Sequence, residues 1–434
     1  MKAKISVSHL VICLVSFSVL LLNSLVGEYS TSLNVYVAVF VFVLSVYLAY
    51  KTKKTLHLFI VFLFIAYCNY SILYGRYINP DSSIINNIIS GTDIDHLGIN
   101  VLLLFISILM VFWRTNDSQN SREYRLVSEE NRNTVLVWVS FAIIVFIAVV
   151  YFRPSAYNQR AGYSPIYEYS ILFFIIGFFY SGKTKSFSSR SLFILLLVYV
   201  LRDLYGGHRV TSLQLMIVVI LVFLVEKITY RHLIVFFFLG IFIMNLAASY
   251  RVVFDLSNVS LSFSLGRLSN MYFAFDTAFF AYAASLTFAA VRNMYMFTER
   301  IGQFSDFLTS QFVIGTVGES LYTLSRRYYA HSNGGLLPFH FYYYLGWFGV
   351  IISSALVGFY YRLIASTRSS SSGLRRVVIT YVVATVPRWY LYSPNQLIRG
   401  VSLCVALYYS YHLVNILMQN KMRSSEPREL KREA

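Results

Sequence analysis

Long apolar runs recur along the whole chain and alternate with short polar segments. Each run is close to the roughly 20 residues that an α-helix needs to cross a bilayer. The runs are continuously apolar, which argues against the alternating pattern of a membrane β-barrel. The pattern therefore predicts an all-α, polytopic integral membrane protein that forms a single transmembrane domain over residues 1–434. About twelve spans are predicted, at residues 8–26, 33–50, 56–74, 98–113, 134–152, 166–181, 190–205, 209–225, 233–249, 341–361, 377–391 and 399–417.

Composition favours the same class. Hydrophobic residues make up 57% of the 434 residues and charged residues only 13%, about half the share typical of a soluble domain. Cys13, Cys68 and Cys404 all lie in predicted spans, so we expect neither a disulfide framework nor a metal site. The first apolar run is interpreted as an uncleaved helix, because no small-x-small cleavage pattern precedes Glu28.

The basic residues predict the orientation. If both termini are cytoplasmic, the cytoplasmic side holds 23 of the 36 lysines and arginines, and these 23 include all ten lysines. This satisfies the positive-inside rule. The other side carries thirteen arginines and no lysine. The net charge of +17 is thus mainly a topology signal, and we expect no nucleic-acid partner.

Two segments on the outer side stand out by their length. Residues 75–97 form a first polar loop, and residues 250–340 form a loop much longer than ordinary connections, which are usually short. Within the long loop, residues 273–291 are apolar enough for a thirteenth span. Such a span would move the basic C-terminal tail to the outer side, so we favour a re-entrant or interfacial helix.

The first motif that could carry chemistry lies at the outer junction of the seventh and eighth spans. Gly206 and Gly207 allow a tight turn, on which Arg202, His208 and Arg209 could converge. Ionisable residues at membrane depth are costly and often functional. Alternatively, Arg202 pairs with the adjacent aspartate and the arginines extend to lipid headgroups.

The second motif lies at the end of the long loop. His331 stands in a turn rich in small polar residues and glycine, which suits a general base acting on a hydroxyl. The plainer alternative is a hydrogen-bonded loop histidine. Just before it, Arg326 and Arg327 precede two tyrosines, an arrangement that suits a phosphate joined to a sugar or, equally, an interfacial aromatic belt.

The third motif covers residues 387–400 and places Arg388 and Arg399 between the last two spans. Arg388 has apolar neighbours, so its charge needs an anion from the protein or from a substrate, unless the side chain extends to water. Nucleotide-binding and zinc-protease motifs are missing from the sequence. The spans lack the series of buried acids that a proton-coupled carrier uses, with Glu168 as the main exception.

Together these features resemble the bacterial O-antigen polymerases, the Wzy family of polytopic glycosyltransferases. The likeness in topology covers nearly the whole chain. The turn from Gly206 to Arg209 resembles the family's glycine-then-arginine turn at the head of a span. Residues 331–333, followed by Gly346 and Gly349, resemble the His–Asn turn and Gly-x-x-Gly span shared with the O-antigen ligases.

The resemblance implies a GT-C-like architecture in the bacterial inner membrane and a reaction at the periplasmic face without metal or cofactor. The growing glycan would pass from undecaprenyl diphosphate to the sugar hydroxyl of a new lipid-linked repeat unit. His331, or alternatively Glu319, would accept the proton, and Arg209 would stabilise the leaving diphosphate. Besides the lipid-linked glycan, membrane lipids and a chain-length regulator protein are expected partners. The alternatives are an O-antigen ligase, another polyprenyl-phosphate-dependent glycosyltransferase, or a flippase for lipid-linked oligosaccharides. The residues expected to bind substrate are Arg202, His208, Arg326, Arg327, Arg388 and Arg399.

Overall fold

The fold is all-α, which confirms the predicted class. The computed structural model describes residues 7–27, 30–78, 94–112, 125–153, 162–163, 165–205, 209–225, 227–253, 276–313, 318–327, 334–367 and 371–425. Within these ranges, extended structure is confined to a two-residue antiparallel pair, β1 (Phe152–Arg153) with β2 (Gly162–Tyr163). The helices are α1 (Val7–Val26), α2 (Thr31–Thr52), α3 (Leu56–Ile72), α4 (Asp95–Phe112), α5 (Thr134–Val150), α6 (Pro165–Glu168), α7 (Ser170–Tyr180), α8 (Phe187–Tyr205), α9 (Arg209–Val219), α10 (Tyr230–Val253), α11 (Asp276–Arg292), α12 (Phe297–Ser310), α13 (Leu321–Arg326), α14 (Leu337–Leu345), α15 (Trp347–Ala365), α16 (Gly373–Ala384), α17 (Val386–Leu391) and α18 (Asn395–Ser425).

Several of these helices could cross a membrane. Each predicted span overlaps at least one helix, and α3 and α9 continue as π-helical turns at Leu73–Ile78 and Ile220–Leu224. Among the described residues, five helical segments are both long and apolar enough to span a bilayer, and further apolar helices are shorter. The architecture is therefore compatible with a membrane-embedded protein. The five segments are Ser32–Thr52, Leu56–Ile78, Asp95–Phe112, Trp347–Ala365 and Asn395–Asn420.

The helices pack through a buried core that contains paired polar groups. Helix α4 packs against α1, α2 and α15, and α3 packs against α2, α11, α16 and α17. Asn23 of α1 donates a hydrogen bond to Asn100 of α4 at 2.8 Å, and Asn69 of α3 donates to Ser45 of α2 at 2.7 Å. In an apolar solvent such interhelical hydrogen bonds, together with close packing, hold helices together.

Segments that the charge pattern places on one side of the membrane contact one another. The backbone amide of Asn133, before α5, donates to the carbonyl of Tyr180, at the end of α7, at 2.9 Å. The side chain of Asn133 donates to Asn415 of α18 at 2.7 Å. Lys183 and Glu129 form an ion pair at 3.0 Å. All five residues lie in or next to segments predicted to be cytoplasmic, so the structure groups them at one end of the bundle.

The long loop predicted at residues 250–340 is largely helical where it is described. The apolar segment predicted as a re-entrant or interfacial helix forms α11, which is buried against α3, α4 and α14. Small side chains such as Ala281 and Ala284 permit this close approach. Helix α12 follows with an exposed apolar surface that includes Phe297, Ile301 and Leu308. The first predicted loop is shorter than expected, since helix extends to Ile78 and resumes at Asp95.

Candidate active site

A break between α17 and α18 positions the third sequence motif. Helix α17 begins with a proline in its first turn, where no amide hydrogen bond is lost, and it ends after six residues. At Pro394 the chain turns, and the amide of Asn395 donates to Ser393 Oγ at 3.2 Å as α18 begins. This short break places side chains from the end of α17 beside those from the first turn of α18.

Arg388 of α17 forms an ion pair with Glu168 of α6, 220 residues earlier in the chain. Both side chains are largely buried, with 20% and 14% of their surfaces exposed. Gln396 of α18 donates to the other carboxylate oxygen of Glu168 at 3.4 Å, and the Arg388 guanidinium lies 4.7 Å from the Tyr392 ring centroid. The Tyr381 hydroxyl donates to Gln396 Oε1 at 2.7 Å and fixes the amide orientation. Glu168, Arg388, Tyr392 and Gln396 are named the Arg388 cluster below.

The glycine turn that follows His331 docks on this cluster. Gly334 has a φ of +85°, and a Cβ atom there would lie 2.9 Å from the Leu391 carbonyl oxygen. The amide of Gly335 donates to the same carbonyl at 3.0 Å. The amide of Leu336 donates to Ser285 of α11 at 2.8 Å. Only glycine combines this backbone conformation with this closeness, so the local sequence directs the end of the turn onto α17.

His340 joins the same region from α14. Its Nε2 lies 3.2 Å from the carbonyl oxygen of Tyr392, and its ring packs edge-on against Phe288 with centroids 5.1 Å apart. Burial lowers the pKa of His340 to about 4, so the imidazole is neutral at pH 7. Because a carbonyl can only accept, Nε2 carries the proton. His340 therefore acts as a donor that ties α14 to the break after α17.

The first motif lies close to this site through α6. The Tyr167 hydroxyl donates to the buried carboxylate of Asp203 at 2.6 Å, while the next residue, Glu168, reaches Arg388. Arg202 contacts the last turn of α5, where its guanidinium donates to the carbonyl of Ala148 at 2.8 Å. A cation at a helix C-terminus is favourable there.

Arg209, the first residue of α9, is half-buried. Helix α9 packs against α16 and α17, the helices that carry Tyr381 and Arg388. Below Arg209, the side chains of Leu213, Ile217 and Ile220 line an apolar cavity of about 120 Å³ between α3, α9 and α10. Residues four apart share one face of a helix, so Arg209 stands on the face of α9 that lines this cavity.

Arg399 extends the cluster toward α12. Its guanidinium donates to the carbonyl of Val313 at 2.5 Å, just after α12, and Asn395 accepts from Gln311 at 2.9 Å. Arg399 lies three residues after Gln396 in α18, so the two side chains share one face of the helix within a single turn. Arg399 is therefore near enough to contribute charge to the same site.

The remaining residues singled out from the long loop contact one another locally. Arg327 forms an ion pair with Glu319 at 2.7 Å, with 59% and 30% of the two side chains exposed. The Arg326 guanidinium lies 4.8 Å from the ring centroid of Tyr322, one turn earlier in α13. These contacts place Glu319, Arg326 and Arg327 at the surface of α13, and none of the contacts named here reaches the Arg388 cluster.

His208 and His331 lie outside the described residues, so their expected roles stay predictions. Glu168, Tyr392 and Gln396 are not among the site residues predicted from the sequence. For Glu168 a signal was present, because it lies in a predicted span, where acidic residues are rare. Tyr392 and Gln396 carry no comparable signal, since their roles depend on the turn between α17 and α18.

Chemically, the site offers guanidinium groups, a carboxylate and a neutral imidazole at the mouth of an apolar helix bundle. Two arginines can bind phosphate oxygens, and a carboxylate released from its arginine can accept a proton. Among the described residues there is no group of three His, Cys, Asp or Glu side chains that could hold a metal ion. Neither a family model, nor a curated protein, nor a solved structure matches this chain.

Proposed function

We propose that this chain is a glycosyltransferase of the O-antigen polymerase type, with about twelve spans and both termini in the cytoplasm of a bacterial cell. It would join lipid-linked oligosaccharide repeat units at the periplasmic face of the inner membrane, in a GT-C-like architecture. The observation that carries the proposal is the meeting of two sequence motifs in one place. The glycines that follow His331 contact Leu391 and Tyr392, directly beside Arg388.

Two further observations support the proposed substrate and the proposed side of the membrane. Arg209 stands above an apolar cavity on its own helix face, an arrangement that suits a phosphate headgroup with a hydrocarbon tail below it. The segments predicted on the cytoplasmic side meet at the start of α5 and at the end of α7. Glu168 precedes the other end of α7, which supports placing the Arg388 cluster on the periplasmic side.

In the proposed reaction, Arg388, Arg399 and Arg209 bind the diphosphate of the donor. The diphosphate replaces Glu168 as the anion paired with Arg388, and the Glu168 carboxylate becomes available. The hydroxyl oxygen of the acceptor sugar bonds to the anomeric carbon of the donor, and the bond from that carbon to the diphosphate oxygen breaks. Undecaprenyl diphosphate leaves with the electron pair, which the arginines stabilise. The acceptor proton passes to His331 or to the released Glu168.

The test is a lipopolysaccharide gel of a deletion strain. A polymerase deletion leaves lipid A-core capped by a single repeat unit, and complementation with the wild-type chain restores the ladder. Arg388→Ala should keep the single-repeat pattern at normal membrane levels, whereas Arg231→Ala, at an exposed arginine of α10, should restore the ladder. Complete loss of O-antigen in the deletion strain would instead indicate a ligase or a flippase, and an unchanged ladder would refute all three.

The identity of the base is decided by two further variants in the same strain. If Glu168 accepts the proton, Glu168→Gln abolishes polymerisation and His331→Ala leaves residual chains. The opposite result assigns the proton to His331. Full activity of both variants would refute the proposed proton transfer.

A further inference from the structure

Arg292 and Arg300 lie together where α14 meets α15, away from the Arg388 cluster. Arg300 Nη1 donates to the carbonyl oxygen of Tyr343 at 3.3 Å, and the Arg292 guanidinium lies 5.2 Å from the ring centroid of Tyr342. A Cβ atom on Gly346 would come within 2.9 Å of Arg292 Nη2. Both guanidinium groups therefore reach the last turn of α14.

These two cations have no carboxylate partner in the part of the chain that the structure describes. Arg300 is only 7% exposed, and the Nε atoms of both arginines are buried without a hydrogen-bond partner. Burial lowers the pKa of Arg300, and the charge of Arg292 lowers it further. The adjacent acid, Glu299, accepts from the amide of Met296 at 2.8 Å and so caps α12.

Two like charges without a carboxylate partner, one buried and one partly buried, are unfavourable, and an anion between them would relieve both the repulsion and the unsatisfied donors. Guanidinium forks match the oxygens of a phosphate group, to which they bind with charge-assisted hydrogen bonds. The unpartnered Nε donors and the shared positive charge thus indicate a phosphate-bearing ligand.

The surroundings indicate that this ligand belongs to a lipid. Exposed apolar side chains lie between the two arginines in the chain, and two exposed aromatic residues stand where the apolar helix α15 begins. Aromatic and basic side chains at the end of a spanning helix are typical of the lipid headgroup region. These exposed side chains are Met294, Met296, Phe297, Trp347 and Phe348.

We propose that Arg292 and Arg300 bind the phosphate of an anionic phospholipid and so anchor the junction of α14 and α15 in the membrane interface. This site is separate from the proposed glycan chemistry and does not depend on it.

The test uses the full-length protein in detergent and measures its melting temperature with and without added phosphatidylglycerol. Wild type and Arg231→Gln, a matched loss of an exposed charge, should gain the same increase in melting temperature. Arg292→Gln should bind the lipid at least about tenfold more weakly, because one or two charge-assisted hydrogen bonds are lost. Without lipid, Arg292→Gln should melt at the same temperature as wild type or higher, because it removes a repulsion.

The melting temperature of Arg292→Gln without lipid separates the proposal from a purely structural role of Arg292. A purely structural role would lower this melting temperature both with and without lipid. An equal lipid-induced increase in wild type and Arg292→Gln would overturn the site. An equal increase with inorganic phosphate, or a larger one with polyprenyl monophosphate, would overturn the phospholipid assignment. Native mass spectrometry of Arg292→Lys gives an independent measure, since this charge-preserving variant should retain less phosphatidylglycerol than wild type.

Discussion

The ion pair between Arg388 and Glu168 gives the sharpest quantitative prediction. Breaking a buried pair by removing one partner costs about 3–5 kcal/mol, because the other charge is left uncompensated. Here the side chains keep 20% and 14% of their surfaces exposed, so water screens part of this cost. We therefore expect Arg388→Gln and Glu168→Gln each to lower the free energy of unfolding by about 2 kcal/mol.

The double variant should lose less than the sum of the single variants. Two glutamines leave no buried charge and can form a hydrogen bond with each other, so the double variant should lose only about 1–2 kcal/mol. The cycle then gives a coupling energy of about 2–3 kcal/mol. Equilibrium unfolding in mixed detergent micelles measures these values by tryptophan fluorescence, to which the buried Trp389 contributes. Additive losses, or single variants as stable as wild type, would refute the reasoning.

The same variants separate stability from function. If Arg388 also binds the donor diphosphate, the double variant should be more stable than the sum predicts and still give the single-repeat pattern on a lipopolysaccharide gel. A double variant that restores the full ladder would show that the pair is only structural.

Three further predictions concern the region around the cluster. Gly334→Ala should lower the free energy of unfolding by about 1–3 kcal/mol, because the φ of Gly334 is +85° and a Cβ would touch a backbone carbonyl. Gly240→Ala, where a Cβ would meet nothing within 4 Å, should not destabilise the protein, and equal thermal stabilities of the two variants would contradict this. Ser285→Ala should lower the free energy of unfolding by about 1–3 kcal/mol, because the buried amide of Leu336 loses its acceptor. Ser410→Ala, at an exposed position, should change the melting temperature little. His340 has a folded pKa of about 4 against 6.5 for an ordinary histidine, so the unfolded state binds more protons between these values. The neutral, buried His340 therefore stabilises the folded state above pH 6.5, and up to about 3 kcal/mol of this stabilisation is lost as the pH falls toward 4. His340→Asn should make the free energy of unfolding less dependent on pH between 4 and 6.5.

Much of the fold was predictable because hydropathy is a local property. A run of apolar residues must satisfy its backbone hydrogen bonds internally when it leaves water, so it forms a helix whatever its neighbours are. The twelve predicted spans accordingly overlap helices. The grouping of Asn133, Lys183 and Asn415 at one end also follows the charge pattern, since each loop carries its own basic signal.

The pairing of charges was not predictable in the same way. The sequence indicated that Arg388 needs an anion, but Glu168 lies 220 residues away, and only the tertiary fold decides that the two side chains meet. In the same way, only the structure shows that Arg202 donates a hydrogen bond to the end of α5. The unmatched pair of Arg292 and Arg300 could not be distinguished from the other arginines of the long loop.

The sequence by itself thus determined that the chain forms apolar helices and that Arg388 needs an anion. Tertiary structure alone decided that this anion is Glu168, and that no carboxylate among the described residues pairs with Arg292 or Arg300. The physical reason is that the cost of leaving water is summed residue by residue along a helix, whereas an ion pair depends on a separation of a few ångströms between residues that are distant in the chain.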